Sequence, residues 1–178
     1  MAINKGRQVK EIIRCGKDPL YFINQYAKIV HTSRGTIPFK TYPFQDECVK
    51  QFLDHRFNIV LKGRQLGMST LTASYAVWLA LFHKDKKILI IANKLDIAVN
   101  FMKKVKGVIR GLPKWLVLPE MVSKSRQSVE FSHGSSIKAI PTSDDAGRSE
   151  ALSLLIVDEA AFVRNFDELW TGLYPTLS

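Results

Sequence analysis

The stretch Ile59-Val60-Leu61-Lys62-Gly63-Arg64-Gln65-Leu66-Gly67-Met68-Ser69-Thr70 decides the fold of this chain. Its apolar start predicts a β-strand over Asn58–Leu61, its glycines mark a tight loop, and the apolar residues after it predict a helix from Ser69 to about Phe82. A strand, a glycine-bearing loop and a helix in this order aim several backbone N–H groups and the positive end of the helix dipole at one point. The pattern therefore predicts an anion site that suits the phosphates of a nucleotide.

The loop departs from the usual phosphate-loop pattern of glycine, four residues and then Gly-Lys-Ser/Thr. Alignment on Gly67 places Ser69 where a hydroxyl binds Mg²⁺, but Met68 stands at the lysine position and Lys62 at the first glycine. Either Lys62 reaches over the loop to the β- and γ-phosphates, or the site lacks its lysine and binds nucleotide weakly or not at all. A turn without any ligand is the third interpretation. The candidate phosphate-binding residues are Lys62, Gly63, Arg64, Gln65, Leu66, Gly67, Met68, Ser69 and Thr70.

A second motif consists of two adjacent carboxylates, Asp158 and Glu159, directly after the apolar run Leu152–Val157. The run predicts a buried strand, so the carboxylates should lie at the carboxyl edge of a sheet, beside a phosphate loop from another strand. An aspartate there suits Mg²⁺, together with the Ser69 hydroxyl, and the glutamate suits the base that orients or activates an attacking water. An aspartate that merely caps the next turn is the alternative for this motif alone. The two motifs together predict a site for ATP and Mg²⁺.

Three further residues, Phe44, Gln45 and Arg148, are candidates for the same site, and Arg64 is a candidate for a second role there. Gln45 can pair with an adenine edge and its neighbour Phe44 can stack on the ring. A glutamine alone is more typical of a protein surface, and it is the position just before the phosphate-loop strand that makes Gln45 a candidate for adenine recognition. Arg64 in the loop and Arg148 before the last strand can stabilise charge on the γ-phosphate, or can be structural arginines.

The rest of the chain alternates strands and helices, which predicts an α/β fold with a mainly parallel sheet flanked by helices. A strand is expected at Lys87–Ala92 and a helix from Leu95 to about Ile109. Period-two runs on either side of His133-Gly134 predict an inserted β-hairpin, and a helix is expected after Asp18, continuing to about Val30. No linker or repeat is visible, so one domain is expected. The remaining predictions are a helix from Pro43 toward His55, a loop or short strand at Thr36–Tyr42 and a loop around Gly111, Pro113 and Pro119.

The chain of 178 residues carries a formal net charge of +10 and has a pI near 9.7. Such a charge favours a polyanionic partner, because neutralised phosphates release condensed counterions. The longest apolar stretch, around Ala73–Phe82, is too short for a bilayer span, and the N-terminus lacks the apolar segment of a signal peptide. Cys15 and Cys48 have no metal-ligand spacing and are expected to be free thiols. A membrane or secreted protein is therefore not expected.

Three segments together resemble the large terminase subunit of tailed double-stranded DNA phages: Lys62–Thr70, Phe44-Gln45 and Leu154–Phe162. The Arg-Gln-x-Gly core of that family's phosphate loop matches Arg64-Gln65-Leu66-Gly67. The resemblance extends over nearly the whole chain. It implies an ATPase motor that drives DNA into procapsids, a loop lysine at Lys62 and not at Met68, and the roles given above for Gln45, Arg64, Asp158 and Glu159.

The resemblance also implies partners and an incomplete domain. The partners are double-stranded DNA, the portal protein, the small terminase subunit and further copies in a ring, in the cytoplasm of an infected bacterial host. Residues 1–178 correspond to part of the ATPase domain, with a helical and adenine-binding segment over about 1–45 and the phosphate-loop core over about 46–178. A strand between the phosphate-loop strand and the Asp-Glu strand, a coupling motif and the nuclease domain are expected to be absent. Two alternatives remain open: a nucleotide-binding or assembly module without efficient hydrolysis, and a helicase-like remodelling ATPase.

Overall fold

The computed structural model of this chain describes residues 4–31, 33, 35–142 and 151–177. The helices are α1 (Lys5–Lys17), α2 (Pro19–Tyr26), α3 (Pro43–Asp54), α4 (Met68–Phe82), α5 (Leu95–Gly111) and α6 (Phe166–Leu173). The strands are β1 (Lys28–His31), β2 (Gly35–Pro38), β3 (Lys87–Ala92), β4 (Met121–Lys124), β5 (Ser128–Phe131), β6 (Ser136–Pro141) and β7 (Leu154–Val157). A mixed five-stranded sheet has the order β4-β5-β6-β3-β7, and β1 and β2 form a separate two-stranded sheet.

The five-stranded sheet has a parallel half and an antiparallel half. β3 pairs in parallel with both β6 and β7, and its residue Ile91 lies opposite Ile140 on one side and Val157 on the other. β5 runs antiparallel to β4 and β6. The predicted α/β fold with helices around the sheet is confirmed, as is the inserted hairpin, which is β5–β6.

Helices cover both faces of the sheet, because alternate residues of the central strands point to opposite sides. On one face α4 and α5 pack over Ile88 and Ile90 to form the main core. On the other face α6 contributes Leu173 to a smaller core around Leu89 and Ile91. The carboxyl ends of β3 and β7 lie side by side at one edge of this layered structure, which is where the second carboxylate motif follows β7.

The N-terminal helices are capped and joined by polar contacts. Asp18 accepts a hydrogen bond from Tyr21 N at the start of α2, with Pro19 in the first turn, so this helix begins where it was expected, directly after Asp18. The hydroxyls of Tyr21 and Tyr26 donate to Glu11 of α1 at 2.9 and 2.7 Å. Cys15 and Cys48 are free thiols, as expected, and burial raises the pKa of Cys15 to about 12.

Two strands were not predicted at their places. The helix expected to reach Val30 ends at Tyr26, because residues 28–31 form β1 and pair with Gly35–Pro38. The segment Thr36–Tyr42 was expected to be a loop or a short strand, and its first residues belong to β2. The expected loop around Pro119 is followed by β4, a short edge strand whose pairing with β5 has a register shift. Across the described parts of the chain, none of the helices is both long and apolar enough to cross a membrane.

The predicted strand over Asn58–Leu61 is wrong: these residues have no regular secondary structure and pair with no strand in the described parts of the chain. A strand exists only through hydrogen bonds to a neighbour, and no backbone hydrogen bond between described residues joins this segment to the outer edge of β7. Ile59 and Leu61 are consequently fully exposed, each with 101% relative accessibility.

Candidate nucleotide-binding site

The turn from the loop into α4 depends on Gly67. This residue caps the helix in the left-handed region, with φ of +72°, where side-chain-bearing residues are strained. A Cβ atom there would lie 2.9 Å from the amide nitrogen of Gln45. Both the conformation and the close approach therefore call for glycine. Gln65 is also left-handed, at φ of +62°, so two of the loop's residues are in the conformation that turns the chain sharply.

Helix α4 fixes the loop at its carboxyl side by burying its first turn. Met68 is only 5% exposed and Leu71 is fully buried in the main core. The Met68 side chain therefore packs into the main core and does not project from the loop. The side chains of Lys62 and Arg64 are exposed. The first N–H groups of a helix have no partner within the helix and can bind an anion, so the start of α4 is a candidate anion site.

The two predicted motifs meet through a side-chain contact. Ser69 Oγ donates a hydrogen bond of 2.9 Å to Asp158 Oδ2, across 89 positions of sequence. Asp158 is held there because its own N–H donates to Ile91 O at 2.9 Å, which extends the pairing of β7 with β3 by one residue. The structure thus brings the start of α4 and the end of β7 to one place at the carboxyl edge of the sheet.

The donor set of this pair fits Mg²⁺. A hydroxyl and a carboxylate are hard oxygen ligands, and their direct contact places both within reach of one ion. The described residues contain no group of three or more histidine, cysteine or acidic side chains that could hold a metal ion. Proteins usually hold Mg²⁺ with one or two side chains, while phosphates and water supply the other ligands.

Glu159 has a left-handed backbone conformation, as do Asp85 and Asn165 outside this site. It adopts φ of +54°, which is uncommon for a residue with a side chain, and a 3₁₀ turn of Ala160–Phe162 follows it. Strained conformations of this kind cluster at active sites. Its side chain is exposed next to Asp158, where it remains a candidate base.

Gln45 lies beside the loop but faces its backbone. It is 1% exposed; its amide nitrogen donates to Leu66 O at 2.9 Å and its oxygen accepts from Tyr42 N at 3.0 Å. In this arrangement Gln45 is a structural support of the phosphate loop, and its role in reading adenine stays a prediction. Phe44 is partly exposed and stacks on Tyr42, with ring centroids 5.8 Å apart and an interplanar angle of 6°. Tyr42 was not anticipated, and it enlarges the flat aromatic surface available to a base.

Two residues complete the comparison between predicted and observed sites. Arg148 lies outside the described residues. Asn93 was missed by the sequence analysis: it follows β3 directly, and its Oδ1 is buried with no hydrogen-bond donor among the described residues. Because β3 neighbours β7, this oxygen lies near the level of Glu159 at the same sheet edge. The available signal was a polar residue directly after an apolar strand, the same signal that singled out Asp158.

Comparison with known proteins supplies the family. The solved structure of the large terminase of bacteriophage HK97 matches 92% of this chain, with a TM-score of 0.72 and 17% sequence identity. The solved structure of the ATPase domain of the large terminase of Thermus phage P74-26 matches 78% of this chain, with a TM-score of 0.60 and 20% sequence identity. At these identities the likeness concerns the fold. This chain spans 36% of the HK97 chain and 60% of the P74-26 chain.

The family model described as terminase large subunit, T4likevirus-type, N-terminal, matches residues 59–175. That range begins in the segment before the phosphate loop and includes Ser69, Asp158 and Glu159. Since the matched range covers well over half of the sequence, the chain belongs to the terminase large subunit family, of which it contains the N-terminal, ATPase-type part.

Proposed function

We propose that this chain binds ATP with Mg²⁺ at the carboxyl edge of its sheet and hydrolyses it, as the motor part of a terminase that packages double-stranded DNA into procapsids. The observation that carries the proposal is the hydrogen bond from Ser69 to Asp158, because it joins the phosphate loop to the second carboxylate motif. The proposed partners are duplex DNA, the portal protein, the small terminase subunit and other copies in a ring, in the cytoplasm of the host.

Each residue of the site has a separate role in this proposal. The backbone of Gly63–Gly67 and the start of α4 hold the β- and γ-phosphates, and the Lys62 ammonium approaches them from the start of the loop. Ser69 and Asp158 hold Mg²⁺, which neutralises charge on the phosphate oxygens when bound. Glu159 orients the attacking water and accepts its proton. Arg64 and Arg148 are the candidates for stabilising charge on the γ-phosphate, and Phe44 is the candidate for stacking on adenine.

A second candidate function is nucleotide binding without efficient hydrolysis. The structure favours it through one feature: the segment that leads into the loop has no strand partner, so Lys62 is attached to an exposed, unpaired stretch. Catalysis requires groups to be held close to their productive geometry, whereas binding tolerates more freedom. The two candidates therefore differ in turnover and not in ATP affinity.

ATP titration of the wild type beside Lys62→Ala tests the proposal. Loss of the ammonium removes a charge-assisted contact to phosphate, which is worth about 1.5–3 kcal/mol, so the affinity should fall by roughly 10- to 150-fold. Lys10→Ala is the matched control, since Lys10 is an exposed lysine of α1. Equal ATP affinity in Lys62→Ala and the control would contradict the assigned role of Lys62. No ATP binding by the wild type would contradict the whole proposal.

Phosphate release separates hydrolysis from binding. Glu159→Gln should bind ATP like the wild type but release no phosphate, because the amide cannot accept a proton from water. Glu168→Gln, on α6, makes the same chemical change at an exposed position and serves as the control. A wild type that binds ATP but releases no more phosphate than Glu159→Gln would support the second candidate function.

A further inference from the structure

Five cations of α5 and the β4–β5 hairpin form one surface, which we name the α5–hairpin basic surface: Lys103, Lys106, Arg110, Lys124 and Arg126. The first three recur at helical spacing on α5 and therefore share a face. Lys106 joins them to the hairpin, since its ammonium donates to Ser125 O and, at 3.3 Å, to Arg126 O.

The charges of this surface are close together and uncompensated. Burial and the charges of Lys124 and Arg110 lower the pKa of Lys106, because both cations are close enough to disfavour its charged form. Within the described residues the only ion pair is Lys50 with Glu47, so no described carboxylate forms an ion pair with this surface. Residues 103–126 contain seven of the chain's 26 basic residues and one of its 16 acidic residues. The excess positive charge is thus concentrated here.

The surface is held by a hydrogen-bonded turn between β4 and β5. Ser125 N donates to Ser128 O at 3.0 Å, and Ala139 N donates to Gln127 O at 2.8 Å, which attaches the turn to β6. Since the Lys106 ammonium is occupied by two carbonyl oxygens, it acts mainly as the anchor of the turn. The ends of Lys124 and Arg126 are exposed on this fixed support and remain available to a ligand.

Edge protection explains only part of this arrangement. β4 is an edge strand, and a lysine on such a strand prevents edge-to-edge association. That reason applies to Lys124 but not to Lys103 and Arg110, which lie on a helix. From Lys103 to Arg110 the helix rises about 10 Å, a length over which duplex DNA presents on the order of six phosphate charges.

We propose that the α5–hairpin basic surface binds the phosphate backbone of double-stranded DNA without reading its bases. Single-stranded nucleic acid is disfavoured because its binding sites stack bases on aromatic side chains. The only aromatic residue between positions 103 and 126 is Trp115, which packs edge-on against Tyr26. The choice of DNA as the polyanion rests on the proposed function. The hairpin strand β5 and the Asp-Glu strand β7 are three strand spacings apart, about 14 Å, so this surface is separate from the nucleotide site.

Fluorescence anisotropy with a mixed-sequence duplex of about 30 base pairs, titrated without nucleotide from about 50 to 200 mM salt, tests the proposal. The wild-type affinity should fall steeply with salt. The double variant Lys124→Ala and Arg126→Ala should bind more weakly, and the slope of log affinity against log salt should decrease in magnitude by about 2, one for each lost phosphate contact. The double variant Lys5→Ala and Lys10→Ala makes the same change of charge on α1 and should keep the wild-type slope.

Several outcomes would overturn the proposal. The first is an equal loss of DNA affinity in both double variants. The second is tighter binding of the corresponding single strand than of the duplex. The third is complete displacement of the duplex by polyglutamate at matched charge, which would indicate an acidic protein partner. Circular dichroism melting of each variant excludes misfolding as the cause of a loss. The ATP titration separates this proposal from the preceding one. A chain that binds DNA with the expected slope but no ATP contradicts only the proposed function, and one that binds ATP but no DNA contradicts only this inference.

Discussion

The exposed segment before the phosphate loop leads to a prediction about stability. The double variant Ile59→Ser and Leu61→Ser replaces two large apolar side chains with polar ones. In a buried strand of an α/β sheet these changes would remove two core side chains, at about 2–5 kcal/mol each. In this structure both side chains are fully in water, at 101% relative accessibility, so folding buries none of their apolar area.

The expected change in the free energy of unfolding is accordingly small. Surface substitutions change stability by about 0.5 kcal/mol or less, so the pair should stay within about 1 kcal/mol of the wild type. For a chain of this size that corresponds to a shift of the melting temperature of less than about 4 °C. Thermal melting and urea unfolding followed by circular dichroism measure both quantities on the same samples.

The chain offers a matched control in β3. Leu89 and Ile91 are also one leucine and one isoleucine two residues apart, but they are 3% and 0% exposed. Leu89→Ser with Ile91→Ser should lose about 4 kcal/mol or more, a large part of the 5–15 kcal/mol that stabilises a typical domain. If that variant does not fold, Ile91→Val should still show a loss of about 0.5–1.5 kcal/mol. A loss above about 2 kcal/mol in the Ile59 and Leu61 variant would refute the reasoning, because it would mean that the segment is packed.

Two further predictions follow from polar contacts outside the sheet. Gln45→Ala should destabilise the chain by about 1–3 kcal/mol in urea unfolding, because Leu66 O and Tyr42 N lose their buried hydrogen-bond partners. The control Gln51→Ala, on the outer side of α3, should change the free energy of unfolding little. Equal losses in the two variants would contradict the supporting role of Gln45. The hydroxyls of Tyr26 and Tyr21 hold the pKa of Glu11 below its usual value, so the stabilisation is present above a pH of about 4.3 and is lost as the pH falls through the lowered pKa. As the pH falls through that acidic range, the free energy of unfolding should decrease less in Glu11→Gln than in the wild type. If the two proteins give parallel curves of unfolding free energy against pH, Glu11 does not contribute to the acid sensitivity of the fold.

The elements that could be predicted from the sequence are those whose local pattern agrees with their environment. β3 was expected at Lys87–Ala92 and lies there, because a β-branched run buried on both faces is distinctive of a central parallel strand. The helix after the loop and the hairpin around Gly134 were predicted for the same local reasons. The meeting of Ser69 with Asp158 could also be expected, since both follow the general rule that binding residues gather at the carboxyl edge of parallel strands.

The elements that could not be predicted depend on distant partners. Residues 58–61 have the composition of a strand, but a strand forms only through hydrogen bonds with a neighbouring segment, and the composition does not specify that neighbour. Val30 fits a helical spacing, yet it pairs with Thr36 of β2, whose first residue, Gly35, has a φ of +67°. The support that Gln45 gives to Leu66 O joins residues 21 positions apart and leaves no local pattern in the sequence.

These contacts explain how a phosphate loop keeps its position although the segment before it is not part of the sheet. The loop is bounded by Gln45 on the α3 side and by the buried Met68 on the α4 side, while Ser69 connects it to Asp158 at the end of β7. Each of these contacts acts on the carboxyl half of the loop, from Leu66 onward. The amino half, which carries Lys62, has no comparable support among the described residues. The Ser69–Asp158 part of the site, where we propose that Mg²⁺ binds, is therefore fixed more firmly than the lysine, so changes in the segment before the loop should alter catalysis before they alter nucleotide binding.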